Sequence, residues 1–218
     1  MQKERTFVLF DFDGVIADSY HQLFQVAHAM HPHFTEEFYR TIWDENIYDA
    51  WKSLECTDTC RRGEGEFFKE FDLLKHTIRL FPGADSMIRM LAGEHTLAII
   101  SSGISIDVMA HLEKGGIAAC FSDVFGKDVH LSKVEKINMI LHRYKIQARD
   151  CVFVTDTLGD IREAASSGVE AIAVSWGFQP RERLERGNPF QIVDRPEDLV
   201  HAVGAYFAEK RSYVSARE

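Results

Sequence analysis

Asp11 and Asp13 stand one residue apart directly after the apolar run FVLF (7–10), and Gly14 follows them. An isolated acidic pair at a strand end is usually a solvated turn. Here it has company: Ser101-Ser102-Gly103 closes a second apolar run, and Asp156 and Asp160 follow a third. Lys133 and Lys136 open a helical pattern after the loop GKDVHLS. Each group has an ordinary explanation by itself. Asp160 could be a helix N-cap, Ser101 a cap or turn hydroxyl, and Lys133 a surface lysine. Taken together they point elsewhere. If the apolar runs are parallel strands of one sheet, these groups all fall at its carboxyl edge, where open α/β sheets bind ligands. Carboxylates gathered at that density repel one another unless a cation sits among them. Surroundings made only of oxygen suit Mg2+ better than zinc.

The elements that must position these groups come in two styles. FVLF, TLAIIS (96–101), CVFVT (151–155) and EAIAVS (170–175) are short, nearly continuous apolar runs, as in strands buried on both faces. CFSDVF (120–125) is a weaker strand, and FQIVD (190–194) reads as an edge strand. Helical patterns cover 84–91, 106–114, 134–144, 161–167 and 197–208. Gly93, Gly115 and Gly168 are expected to close helices in the left-handed conformation. This alternation predicts an α/β fold, a doubly wound, Rossmann-like parallel sheet. Residues 18 to 80 break the rhythm: they are rich in aromatic and charged residues and hold no convincing strand. Phe67, Phe68, Phe71 and Leu74 show helical spacing there. The predicted division is an α/β core of 1–15 and 83–218 around an all-helical insertion of 16–82.

At 218 residues and 45% hydrophobic content the chain can bury a substantial core. A net charge of -9 argues against a nucleic-acid or acidic-membrane partner, while leaving room for a local basic pocket. With no signal-peptide or membrane-spanning run, the expected location is the cytoplasm. Cys56, Cys60, Cys120 and Cys151 lack the paired spacing of a zinc site and read as reduced thiols. His28, His31 and His33 read as a solvated helix end rather than a ligand set.

The segments DFDGV (11–15), IISS (99–102) and DTLGD (156–160), with a lysine between the last two, resemble in order the four motifs of the haloacid dehalogenase superfamily. The stretch VTDTLGDIREAASSGVEAIAVSWGF (154–178) is especially similar to the family's last-motif region. The branch resembled is the one with a helical cap, which includes phosphoglycolate phosphatase and beta-phosphoglucomutase. The resemblance implies a Mg2+-dependent phosphatase of a small phosphorylated metabolite. Asp11 would be nucleophile and metal ligand. Asp13 would be general acid and base, lending its backbone carbonyl to the metal. Asp156 would be a direct ligand, and Asp160 would orient a ligand or a metal-bound water. Ser101 would donate to the phosphoryl group, with Ser102 and Gly103 beside it. Lys133 would pair with the phosphoryl group and Asp11, with Lys127 and Lys136 as its rivals. Arg61 and Arg62 could reach an anionic substrate tail.

Two departures from the family pattern stand out. Thr155 replaces a frequent glycine, and SKVEK (132–136) lacks a frequent Lys-Pro pair. Lys52 lies near the position of a Schiff-base lysine in phosphonate-cleaving relatives, but those relatives lack an acid at the place of Asp13. A mutase of sugar phosphates would use the same catalytic set. A dehalogenase would lack the equivalent of Asp13 and need no Mg2+, and a regulatory module on the same fold is the non-enzyme alternative. The expected assembly is a monomer or homodimer.

Overall fold

The computed structural model describes residues 5–53 and 64–215. The chain starts in β1 (Phe7–Phe10) and turns tightly into β2 (Ala17–Asp18). Four helices follow: α1 (Tyr20–Met30), α2 (Glu36–Ile42), α3 (Ile47–Ser53) and α4 (Glu64–Leu74). The chain returns through β3 (Arg79–Leu80), then alternates through α5 (Ala84–Ala92), β4 (Thr96–Ile100), α6 (Ser105–Lys114) and β5 (Phe121–Phe125). It continues with α7 (Lys133–Tyr144), β6 (Cys151–Thr155), α8 (Leu158–Ser166) and β7 (Glu170–Val174). A short α9 (Arg181–Leu184), β8 (Gln191–Val193) and α10 (Pro196–Ser215) complete it.

The predicted doubly wound sheet is present. Six strands pair in the order β5-β4-β1-β6-β7-β8, all parallel, with the weaker candidate strand and the predicted edge strand at the two ends. Every side chain of β1 and β6 is buried, because each strand feeds two cores. Val8, Phe10, Val152 and Val154 pack toward α5 and α10, against Met87, Ile88, Leu199 and Val203. Phe7, Leu9, Cys151 and Phe153 point the other way, to Ile137 and Ile140 of α7 and Ala164 of α8. This period of two turns a continuous apolar run into two interfaces.

Three expectations need correction. The stretch between β1 and α5 is not free of strand: Ala17–Asp18 and Arg79–Leu80 pair as an antiparallel ribbon at the two ends of the helical insertion. Two-residue strands carry too little pattern to be seen in sequence. Gly93 and Gly115 end their helices in ordinary right-handed geometry, with Gly116 left-handed after the second, whereas Gly168 is left-handed as expected. His31 is buried rather than solvated, its ring stacked on Phe34 at 4.7 Å, because the insertion has an aromatic core of its own. Cys151 is buried and Cys120 partly so, both as free thiols, while Cys56 and Cys60 lie outside the described residues. Among the described residues no helix is long and apolar enough to cross a membrane.

Phe153 is fully buried beneath the carboxyl edge of the sheet, and its ring lies 5.7 Å from Lys133 Nζ. Phe153→Ala should cost roughly 3–5 kcal/mol of folding stability in urea titrations, the usual result of an unfilled aromatic cavity. A loss below about 1 kcal/mol would show that the sheet can collapse around the gap.

Candidate active site

Three adjacent strands deliver the polar groups. The register pairs Phe10 with Ile99 of β4 and with Val154 of β6, so Asp11, Ser101 and Asp156 emerge together beyond the ends of β1, β4 and β6. Backbone bonds carry the ladder past the strand ends, with Asp11 N–H on Val154 O (2.9 Å) and Ser101 N–H on Phe125 O (2.9 Å). Beyond Asp11 the chain doubles back through bonds from Ile16 and Ala17 N–H to Phe12 O. Gly14 sits in that turn at φ 76°, and a Cβ there would stand 1.9 Å from Asp156 Oδ2. Only glycine lets the two loops close on each other.

Of the three candidate lysines, Lys133 meets the acidic pair. Its ammonium lies 2.7 Å from Asp11 Oδ2 and donates to Asp160 Oδ2 at 2.6 Å, and the residue is only 3% exposed. Lys136 is also buried, but it donates to the Ser101 carbonyl (2.5 Å) and so braces the second strand end. Lys127 bonds through its backbone to Gly103 O and does not line the cavity above the site. Asp160 is not the N-cap of α8. Thr157 caps the helix and Asp160 stands three residues on, in the first turn, where its carboxylate also accepts from Thr155 Oγ1 (2.8 Å). The threonine that departs from the family's frequent glycine thus holds an acid of the site.

Electrostatics follow from burial and partners. Burial works against the Lys133 ammonium, but Asp11 and Asp160 outweigh it and hold its pKa above the ordinary value. Burial raises the Asp11 carboxyl well above its usual range, although Lys133 opposes this. Burial likewise raises Asp13. For Asp160 burial is outweighed by Lys133 and by hydrogen bonds, and its pKa falls. Asp156 is pushed up to about 8, first by burial, with the Phe178 N–H pulling the other way.

Asp156 also provides a test of metal fit. Its Oδ2 accepts from Phe178 N–H (2.6 Å), while Oδ1 is buried with no hydrogen-bond partner. An orphaned buried carboxylate oxygen is unfavourable without a cation. Among the described residues no group of three or more His, Cys, Asp or Glu side chains forms a complete cage. Mg2+ does not require one, since it is commonly held by one or two carboxylates, waters and substrate oxygens. Asp11, Asp156 and the Asp13 carbonyl are the residues that would hold it. Both contacts of Asp160 Oδ2 described above go to Lys133 and Thr155, which leaves this acid a bracing position.

Ser101 is buried, and its Oγ accepts from Gly103 N–H (2.9 Å), leaving the hydroxyl proton for a further acceptor. Ser102 and Gly103 line the cavity together with Asp11, Asp13 and Lys133. Arg61 and Arg62 lie outside the described residues. The cavity, about 410 Å³, is roofed by the helical insertion.

Sequence reasoning missed what seats that roof. Trp43 O accepts from Gly159 N–H (2.9 Å), and Asn46 Nδ2 donates to both oxygens of Glu163. Glu163 in turn accepts from the Lys133 N–H (2.9 Å) at the start of α7, where a helix end favours an anion. Asp44 receives Gln179 and Arg183, and Tyr48 Oη donates to Ser102 O (2.5 Å). A Cβ at Gly159 would meet Glu45 O at 2.5 Å, so the close approach needs glycine there. None of these pairs shares a motif; their partners are 30 or more residues apart in sequence.

The model of the family described as haloacid dehalogenase-like hydrolase matches residues 8–174. The chain belongs to that family. It is 29% identical over 207 residues to a phosphoglycolate phosphatase of Synechococcus elongatus, a match covering 90% of this chain and 96% of that one. A phosphoglycolate phosphatase of Vibrio parahaemolyticus is 26% identical over 226 residues, covering 93% and 97%. Among solved structures, a haloacid dehalogenase-like hydrolase of Streptococcus pneumoniae superposes with a TM-score of 0.74 at 18% identity, covering 91% of this chain and 98% of that chain, a likeness of fold. The resemblance seen in the motifs is borne out, as is the expectation of an enzyme rather than a regulatory module.

Lys133→Met leaves Asp11 and Asp160 buried without their shared cation. The expected loss is about 3 kcal/mol in urea titrations at pH 7, since removing one partner of a buried ion pair strands the other. Stability equal to that of the unsubstituted protein would show that the three charges are not coupled.

Proposed function

We propose that this hydrolase is a Mg2+-dependent phosphatase that cleaves a small phosphate monoester through an aspartyl-phosphate on Asp11. One observation carries the reading: a lysine bridges a carboxylate at the end of β1 and another in the first turn of α8, beside a third whose buried oxygen has no partner. The names borne by the relatives support phosphatase chemistry.

The nucleophile is Asp11 Oδ2. Its other oxygen accepts the Phe12 N–H (2.7 Å), which fixes the carboxylate plane. An anion attacking a phosphate dianion needs positive charge, and the Lys133 ammonium supplies part of it beside the attacking oxygen. Bound Mg2+ supplies the remaining charge neutralisation for the phosphoryl oxygens. Ser101 Oγ donates to the phosphoryl group, with the Ser102 N–H beside it, and Gly103 N–H holds the Ser101 hydroxyl in place. Asp13 protonates the leaving alcohol as the ester bond breaks. It then takes a proton from the water that cleaves the acyl phosphate on Asp11, and phosphate leaves. Asp160 and Thr155 hold Lys133 in place, so their contribution is positioning. The insertion acts as a cap that excludes bulk water and meets the leaving group.

Asp11→Asn should reduce hydrolysis of p-nitrophenyl phosphate to background, and Asp13→Asn should reduce kcat by about 100-fold or more. Near-wild-type turnover in Asp11→Asn would refute the covalent route. EDTA should abolish turnover and excess Mg2+ should restore it, read by release of inorganic phosphate. Full activity in EDTA would refute the metal requirement.

A further inference from the structure

The cavity above Asp11 and Asp13 has a charged floor and hydrocarbon walls. Trp43, Trp51, Phe67, Phe71 and Phe178 face it from the insertion and from the loop after β7. Trp43 and Phe178 pack edge to face at 5.0 Å and 81°, as do Trp51 and Phe67 at 6.1 Å and 60°, while Phe67 and Phe71 lie nearly parallel at 6.2 Å and 17°. Leu23, Met30 and Ile47 fill the gaps between the rings. A volume of about 410 Å³ lies within the roughly 300–1,000 Å³ of pockets that enclose a drug-sized molecule.

Tyr48 and Thr157 on these walls are engaged by the protein, while Trp43 Nε1 is buried with no hydrogen-bond partner and is a neutral donor. Tyr48 Oη donates to Ser102 O and Thr157 caps α8. His31 packs on Phe34, and burial holds its pKa below the ordinary value, which favours the neutral ring. Among the described residues lining the cavity, Lys133 is committed to Asp11 and Asp160. The other ammonium, Lys52, has a side chain 71% exposed and pairs with Asp49 at 3.3 Å. A second anionic group carried by the substrate, such as a carboxylate on the leaving alcohol, would be buried among rings, and the remaining described cation of the lining, Lys52, lies on the solvent side and is shared with Asp49. Such burial is strongly unfavourable. An aromatic group would instead displace water from apolar walls and meet ring edges and faces in their preferred geometry.

We infer that the alcohol released by this enzyme is an uncharged, apolar group of one or two aromatic rings, not a small hydroxy acid. This rests on the phosphatase reading above and specifies its substrate class.

Four esters test it on the full chain with Mg2+: 2-(1-naphthyl)ethyl phosphate, ethyl phosphate, 2-phosphoglycolate and p-nitrophenyl phosphate. The first three all release alkyl alcohols, so aryl leaving-group reactivity does not favour the naphthyl ester over the other two. The expected kcat/KM for the naphthylethyl ester exceeds that for ethyl phosphate and for 2-phosphoglycolate by about 100-fold, the scale at which apolar pockets discriminate. Trp51→Ala should lower the naphthylethyl-to-ethyl ratio about tenfold, and Trp51→Phe should retain most of it. A kcat/KM for 2-phosphoglycolate equal to or above that of the naphthylethyl ester overturns this inference while leaving the phosphatase reading intact. Loss of that preference in Arg61→Ala/Arg62→Ala would then locate the missing cation. A ratio unmoved by Trp51→Ala also overturns it. No phosphate release from any of the four esters, p-nitrophenyl phosphate included, overturns the phosphatase reading itself.

Discussion

A single ammonium group organises the carboxyl edge of this sheet. Lys133 is nearly inaccessible to water, yet it bridges Asp11 from β1 and Asp160 from α8. Without it, two carboxylates would face each other in a medium that screens charge poorly, and folding would have to overcome both their repulsion and their desolvation. The contact ties the first strand, the start of α7 and the first turn of α8 to one point. Thr155 and Thr157 support it from below by fixing Asp160 and the turn that carries it. Asp156 stands beside this network but outside its hydrogen bonds, with one oxygen unsatisfied. The edge is therefore rigid on the lysine side and open to a cation on the other.

The insertion is coupled to that edge through Glu163. Its carboxylate receives Asn46 from the insertion and the N–H of Lys133 from the core. A shift of the α2–α3 loop would thus be felt at the backbone of the residue that holds Asp11. Asp44, gripped by Gln179 and Arg183, fixes the same loop from the far side. The ribbon of β2 and β3 is the covalent route between the two parts, and it is only two residues long on each strand. Polar contacts at the loop tip and aromatic contacts of Trp43 and Tyr20 with Phe178 together hold the roof over the cavity.

Much of this was legible in the linear sequence because the sheet is parallel and buried on both faces. Strands of that kind read as unbroken apolar runs, and the residues after them must share one edge. The positions of Asp11, Ser101 and Asp156 follow from that logic. Among Lys127, Lys133 and Lys136, spacing favoured the residue that opens the helix, but it could not separate one buried lysine from another. Lys136 is as buried as Lys133 and lies a single turn away, yet it faces a carbonyl instead of the carboxylates. The direction in which a helix presents each side chain depends on where the helix packs, and no local pattern records that.

Order along the chain determined the fold class, the family and which polar residues gather at the sheet edge, because alternating burial and strand-end chemistry are local properties. Tertiary structure alone decided that Asp160 braces the lysine, that Thr157 rather than Asp160 caps α8, and that Asn46, Asp44 and Tyr48 seat the insertion. It also turned an aromatic-rich segment into the walls of a cavity. Each of those features is a contact between residues distant in sequence, and its energy exists only once the intervening chain has packed.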